Sequence, residues 1–253
     1  MHTENREPCS TQPETGCGTG CGTGCKNSCG KQKDQQREFV KTWLSRLYPH
    51  RSVLCDEAAF ASGVSHPMCV RLAQQLAETT AAPTYLVSPS DTDLSRSIYV
   101  LCKGAPPPLL QFAETQVLPT FPTGPLREQH LRVRLSSLAP AACVHEVTFE
   151  LFPVEHTHAL SILREVPSPG VFDPQLLPRL QKIHDLLSAF GLCVLHADLL
   201  DSPANSFFPA QTITHGETQE TPPTDTERKR VAELLFSQSP LFAHREIHFR
   251  PSP

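Results

Sequence analysis

Four cysteines fall at every fourth position early in the chain. They are Cys17, Cys21, Cys25 and Cys29, set in the repeat Gly16-Cys17-Gly18-Thr19-Gly20-Cys21-Gly22-Thr23-Gly24-Cys25. Four thiolates close a tetrahedral zinc site, and three intervening residues lie within the usual spacing of zinc pairs. Iron–sulfur clusters also take cysteine ligands, but no established cluster spacing occurs here. The competing reading is a low-complexity repeat that holds no metal. The cofactor expected is zinc, about one ion on these four cysteines. The interleaved glycines disfavour a helix. With little apolar material to bury, residues 1–35 read as a disordered cysteine-rich tail.

Glu155, His156 and His158 form a second cluster, to which a closing strand carrying His248 is expected to come near. His196 and Asp198 read as residues on one face of a strand, without a third partner that would make them catalytic. Cys55, Cys69, Cys102, Cys143 and Cys193 read as small buried residues. No phosphate loop, dinucleotide fingerprint or zinc-protease motif is present.

The composition narrows the class. Net charge is -4, which gives no electrostatic footprint for nucleic acid. No apolar run reaches the length of a membrane span. The polar first residues resemble neither a signal peptide nor a transit peptide. The expected compartment is therefore cytoplasmic, with the ten cysteines reduced. Apolar residues at 39% are enough for a core in one large domain or two small ones.

The elements that must position these residues come next. Phe39, Val40, Trp43, Leu44 and Leu47 mark a helix over Gln36–Tyr48, and His66–Ala81 reads as another. Thr84–Val87 and Ser97–Cys102 read as strands. Leu131, Val133 and Leu135 alternate with Arg132 and Arg134, and Val147, Phe149 and Leu151 alternate with Glu146 and Glu150. Such alternation predicts antiparallel strands with one wet face, where the arginines meet the glutamates. Asp173 is the expected cap of a helix reaching Phe190, whose regular part starts near Leu177 because of Pro178. Gly191 ends it, and Leu192–Leu200 reads as one buried strand. Asn205–Thr214 is a weaker strand, a helix runs to about Ser237, and Phe242–Phe249 closes the chain as a strand.

From about residue 157 to 250 the order is strand, helix, strand, strand, helix, strand, the ferredoxin-like order. Within it, Pro167-Ser168-Pro169-Gly170-Val171-Phe172 precedes the leucine-rich helix, and Phe190-Gly191-Leu192-Cys193-Val194 follows it. This resembles the small-molecule-sensing ACT domains. The resemblance implies a ligand loop at Ser168, Pro169 and Gly170 for an amino acid or similar ligand. Where such domains carry an acidic residue before the Pro-Gly, this chain reads Val166-Pro167-Ser168. Residues 66–151 read as a second, degenerate copy.

The fold expected is α+β: a ferredoxin-like antiparallel sheet with helices on one face, as one unit or two in tandem. The division is a tail over 1–35, an N-terminal unit over 36–152 and a C-terminal ACT-like unit over 153–253. The function expected is non-enzymatic regulation or adaptation, with a protein partner or a second copy and a small-molecule ligand. One alternative is a metal-handling protein acting through the cysteine cluster, with zinc or an iron–sulfur group. Another is an enzyme with no recognisable local motif. Neither nucleic acid nor membrane is an expected partner.

Overall fold

The computed structural model describes residues 23–49, 54, 63–87, 94–104, 109, 126–153, 161–168, 172–208, 225–236 and 245–249. The first helix, α1, spans Thr23–Leu47. It starts well before the expected Gln36, inside the stretch whose glycines disfavour a helix. Propagation explains this. Once Val40, Leu44 and Leu47 are fully buried, each added residue costs little, and Lys31, Gln32, Lys33, Gln35, Gln36 and Arg37 are good helix formers. Helix α2 spans His66–Thr80, with Pro67 in its first turn and Ala81 in the left-handed conformation at its end.

The strands are β1 Thr84–Val87, β2 Ser95–Lys103, β3 Leu126–Ser136, β4 Ala141–Pro153 and β5 Ser161–Ser168. A 3-10 turn over Pro174–Leu176, capped by Asp173, leads into α3, Leu177–Ala189, so the regular helix begins where Pro178 requires. Then follow β6 Cys193–Val194, α4 Ala197–Leu200, a 3-10 turn Ala204–Phe207, α5 Asp225–Arg228, α6 Val231–Leu235 and β7 Arg245–Phe249.

These strands make one mixed α+β sheet. Its order is β1-β2-β3-β4-β5-β7, every pair antiparallel, and β6 adds parallel to the start of β4. The expected antiparallel pairing of the first and last strands of residues 157–250 is present as β5 and β7. The other neighbour of β5 is β4, so one sheet runs through both of the expected units.

Three expectations are corrected. Helices cover both faces, not one. Leu131, Val133 and Leu135 of β3 pack with Cys69, Leu72 and Leu76 of α2 and Ile183 and Leu187 of α3. Ala141 and Cys143 of β4 lie on the other face, in a second core with Val40, Leu44 and Leu47 of α1 and with α6. An amphipathic α1 needs an apolar surface, and the far side of the sheet supplies one.

The register of β3 and β4 also differs. Arg134 lies opposite Cys143 and Arg132 opposite His145, while Glu146 lies opposite Leu131. The arginines and Glu146 therefore occupy opposite faces, because a shift of one residue turns every side chain over. Finally, Leu192–Leu200 is not one strand. It yields two residues of β6 and then the short helix α4. Ala204–Phe207 is likewise a 3-10 turn, and residues 209–214 of the weaker strand lie outside the described residues.

Candidate functional site

The face under α2 and α3 is apolar over most of its area. At the end where α3 begins, a polar row interrupts it. Gln129 of β3 lies two residues before Leu131, the register partner of Glu146 of β4, so Gln129 and Glu146 are diagonal neighbours on this face, and Ser168, the last residue of β5, lies opposite Glu146. Glu146 is the hub, with 8% of its surface exposed. Its Oε1 accepts a hydrogen bond from Gln129 Nε2 at 2.5 Å, and its Oε2 accepts one from the backbone N–H of Asp173 at 3.1 Å. A carboxylate this deep is tolerated only when its oxygens are occupied in this way.

Asp173 does two things at once. Its amide is held by Glu146, and its Oδ1 accepts the amide of Gln175 at the helix start. Asp173 is thus tied to the sheet through its amide and to the start of the helix through its side chain. Arg179, in the first turn of α3, carries the charge opposite to that of Glu146. Its Nη1 donates to Leu101 O at 3.2 Å, and its charge acts on the Cys102 thiol. Burial pushes that thiol upward, Arg179 pulls it down and Glu146 raises it again. Cys102 therefore stays a thiol near neutral pH, which makes it a lining group and no nucleophile. Glu146, Gln129, Arg179 and Cys102 thus put a carboxylate, an amide, a guanidinium and a thiol at the end of the sheet where α3 begins. Among them is no nucleophile–base pair.

The opposite face carries a second polar stripe. Glu128, His130, Arg132, Arg134 and Ser136 follow one another on β3 and all are buried. Arg134 Nε donates to Ser95 Oγ at 3.0 Å and Arg132 Nε to Ser97 Oγ at 3.1 Å. His130 Nε2 and Glu128 Oε2 are 3.1 Å apart. His145 is held well below the usual imidazole value, by burial first and then by the Arg132 and Arg134 charges. The stripe ties α6 to the sheet. Three successive carbonyls at the end of α6 accept side-chain donors: Leu234 O from Tyr48 Oη at 3.1 Å, Leu235 O from Ser136 Oγ at 2.5 Å and Phe236 O from Arg134 Nη2 at 3.2 Å. A helix end leaves such carbonyls without helical partners, so the buried polar atoms of β3 are used in construction.

The sequence-derived candidates fall as follows. Ser168 sits at the register position described above, and Pro169 and Gly170 lie outside the described residues. Cys17 and Cys21 also lie outside them, while Cys25 and Cys29 are within α1. Glu155, His156 and His158 lie outside, and His248 stands opposite Ile162 in β7. His196 and Asp198 do not share a strand face: His196 precedes α4 and Asp198 is in its first turn. Cys69, Cys102, Cys143 and Cys193 are free thiols, buried or half-buried, and Cys55 lies outside the described residues. Sequence reasoning missed the pairing of Glu146 with the loop. The signal available was an acidic residue, Glu146, within a strand of alternating pattern.

Among the described residues no three His, Cys, Asp or Glu side chains form a metal-sized group, and no helix is long and apolar enough to cross a membrane. No family model, no curated protein and no solved structure matches this chain.

Proposed function

We propose that the protein is a non-enzymatic regulator that holds a small polar ligand between Glu146, Arg179 and the 168–173 loop. The observation that carries this reading is the buried Glu146 carboxylate, bonded at once to Gln129 and to the amide of Asp173. It stands opposite Ser168, where the ACT-like resemblance expects the ligand loop. It supplies an acidic group in register with Ser168, where Val166-Pro167-Ser168 before the Pro-Gly carries none. The ferredoxin-like reading of residues 157–250 belongs to this proposal. The β5–α3–β6 order and the β5–β7 pairing support it.

The ligand class follows from the charges. Glu146 faces an ammonium or amide donor, and Arg179 faces a carboxylate or other anion. A thermal-shift panel of amino acids, short-chain amino compounds and nucleotides tests it. A ligand present at a hundred times its Kd adds about 2.7 kcal/mol to the native state. The expected outcome is a shift for an amino acid that Glu146→Gln removes. A panel without any shift, or a shift that survives Glu146→Gln, refutes the reading.

A second reading, metal handling through the cysteine tail with zinc as the ion, is favoured by one observation. Cys25 and Cys29 stand one turn apart in a continuous helix, and residues four apart on a helix share a face.

A further inference from the structure

Helices α2 and α3 roof only part of their side of the sheet. The apolar core beneath them reaches Val144 on β4, and Asp173 at the start of α3 bonds Glu146. Further along β4, Thr148, Glu150 and Phe152 lie on the same side, since alternate residues of a strand share a face. None of the three belongs to the apolar cluster under α2 and α3. Their register partners make three rows across the sheet. Thr148 stands between Gln129 of β3 and Val166 of β5. Glu150 stands between Arg127 and Arg164, and Glu246 of β7 holds the position beyond Arg164. Phe152 pairs with Ile162, and His248 holds the position beyond it.

The middle row, Arg127-Glu150-Arg164-Glu246, alternates in charge across four strands. Arg127 Nε stands 3.5 Å from Glu150 Oε1, with the arginine side chain 73% exposed and the glutamate 26%. Arg164 is exposed, and its guanidinium lies 5.6 Å from the centroid of the Phe152 ring. Phe152 and Val166 are half-buried. A row reading plus, minus, plus, minus is its own complement when reversed. A two-fold axis running along the strands, between β4 and β5, lays the sheet of a second copy on the first in that reversed order. Glu150 then faces the second copy's Arg164, and Arg127 faces the position of its Glu246. The same rotation sets Phe152 over the Ile162 position and Thr148 over Val166.

We propose that this half of the sheet is where two copies of the chain meet, face to face, about that axis. The inference is independent of the ligand reading, which uses Glu146 and the start of α3. Aligned sheets cross at about 30°, so the contacts nearest the axis, Glu150 with Arg164, match best. Four strands about 4.8 Å apart and three rows about 7 Å apart offer about 400 Å² per copy. That is small for a specific interface, so the dimer is reversible and forms as concentration rises. Its charge contacts are partly exposed and weaken with salt.

The test is sedimentation velocity of the full chain, kept reduced, over a range of concentration and salt. The wild type is expected to pass from monomer to dimer with concentration and to return with salt. Arg164→Glu and Glu150→Arg should each weaken self-association about tenfold or more, because each sets like charges face to face twice per dimer. An equimolar mixture of the two variants should recover the dimer. In a mixed pair, Glu150 of one variant meets Arg164 of the other, and the introduced glutamate meets the introduced arginine. A disturbed fold cannot recover in trans, so this arm separates contact from folding. If the central pair lowers the urea midpoint, Arg127→Glu and Glu246→Arg repeat the exchange at the rim, where Arg127 is largely exposed. A wild type that stays monomeric at every concentration overturns the inference. So does a dimer that ignores both reversals, because the contact then lies on another surface. Loss in each variant without recovery in the mixture also refutes it, because the charges then serve the fold alone.

Discussion

Glu146 and Asp173 stand 27 positions apart in the chain and are joined by one hydrogen bond of 3.1 Å, from the Asp173 amide to Glu146 Oε2. This contact links a central strand to the loop that opens α3. It ties the position of Asp173, and with it the start of the helix it caps, to the sheet.

The first prediction concerns that bond. Glu146→Ala removes the acceptor of both the Asp173 amide and Gln129. The expected loss is about 1–3 kcal/mol, the range for buried donors left without partners. Glu146→Gln keeps the size and one acceptor oxygen and should cost less. Urea unfolding checks both. Equal losses for the two would show that size, and not the carboxylate, matters there.

The second concerns Arg134. Replacing it with Met removes the donor to Ser95 Oγ and to Phe236 O at the end of α6. A stability loss of about 2–4 kcal/mol is expected, because buried groups are left short of partners while the stem volume is kept. The denaturation midpoint should fall at unchanged slope. A loss below about 0.5 kcal/mol would mean the guanidinium anchors nothing.

The third concerns two glycines. A Cβ on Gly63 would stand 1.7 Å from the backbone oxygen of Ser137, so Gly63→Ala must displace main chain. A loss of about 2 kcal/mol or more follows. Gly191 has φ of 74° with nothing within 4 Å of a Cβ. Its Ala variant meets only the left-handed backbone strain, about 1 kcal/mol. Thermal unfolding of the pair decides it, and the reverse ranking would contradict the close approach at Gly63.

The fourth is a pH dependence. His145 has its native value depressed well below the ordinary 6.5. As pH falls below that value the unfolded chain takes up a proton that the native state resists. The stability from the neutral imidazole is therefore complete above about pH 6.5 and declines on acidification. His145→Gln should flatten the fall in urea midpoint between about pH 7.5 and pH 5. An unchanged slope would locate the acid sensitivity elsewhere.

The apolar periodicity of α2 and α3 and the alternation in β3 and β4 were legible, because a half-buried element must repeat with its own geometry. What periodicity could not supply was how two elements meet. Ser137–Pro140 carries the turn, and β4 starts at Ala141. The pairing of Leu135 with Ala142 then sends Arg132 and Glu146 to different sides. The candidate site suffers from the same blindness. Glu146 and Asp173 come from separate segments and meet through register and helix docking, which no local spacing announces. The segment after Gly191 failed differently. His196 and Asp198 sit where an apolar run turns into a short helix, and such runs do not distinguish strand from helix.

The packing of α1 has a bearing on biosynthesis. Its apolar side is roofed by Leu195, Leu199, Phe207 and α6, all encoded far downstream. While the ribosome makes β1 through β5, each strand can join its predecessor as it emerges, but Val40, Leu44 and Leu47 lack much of their cover until Phe236 has been added. The earliest helix is thus among the last to be shielded, and a chaperone acting on the nascent chain would find its docking surface there.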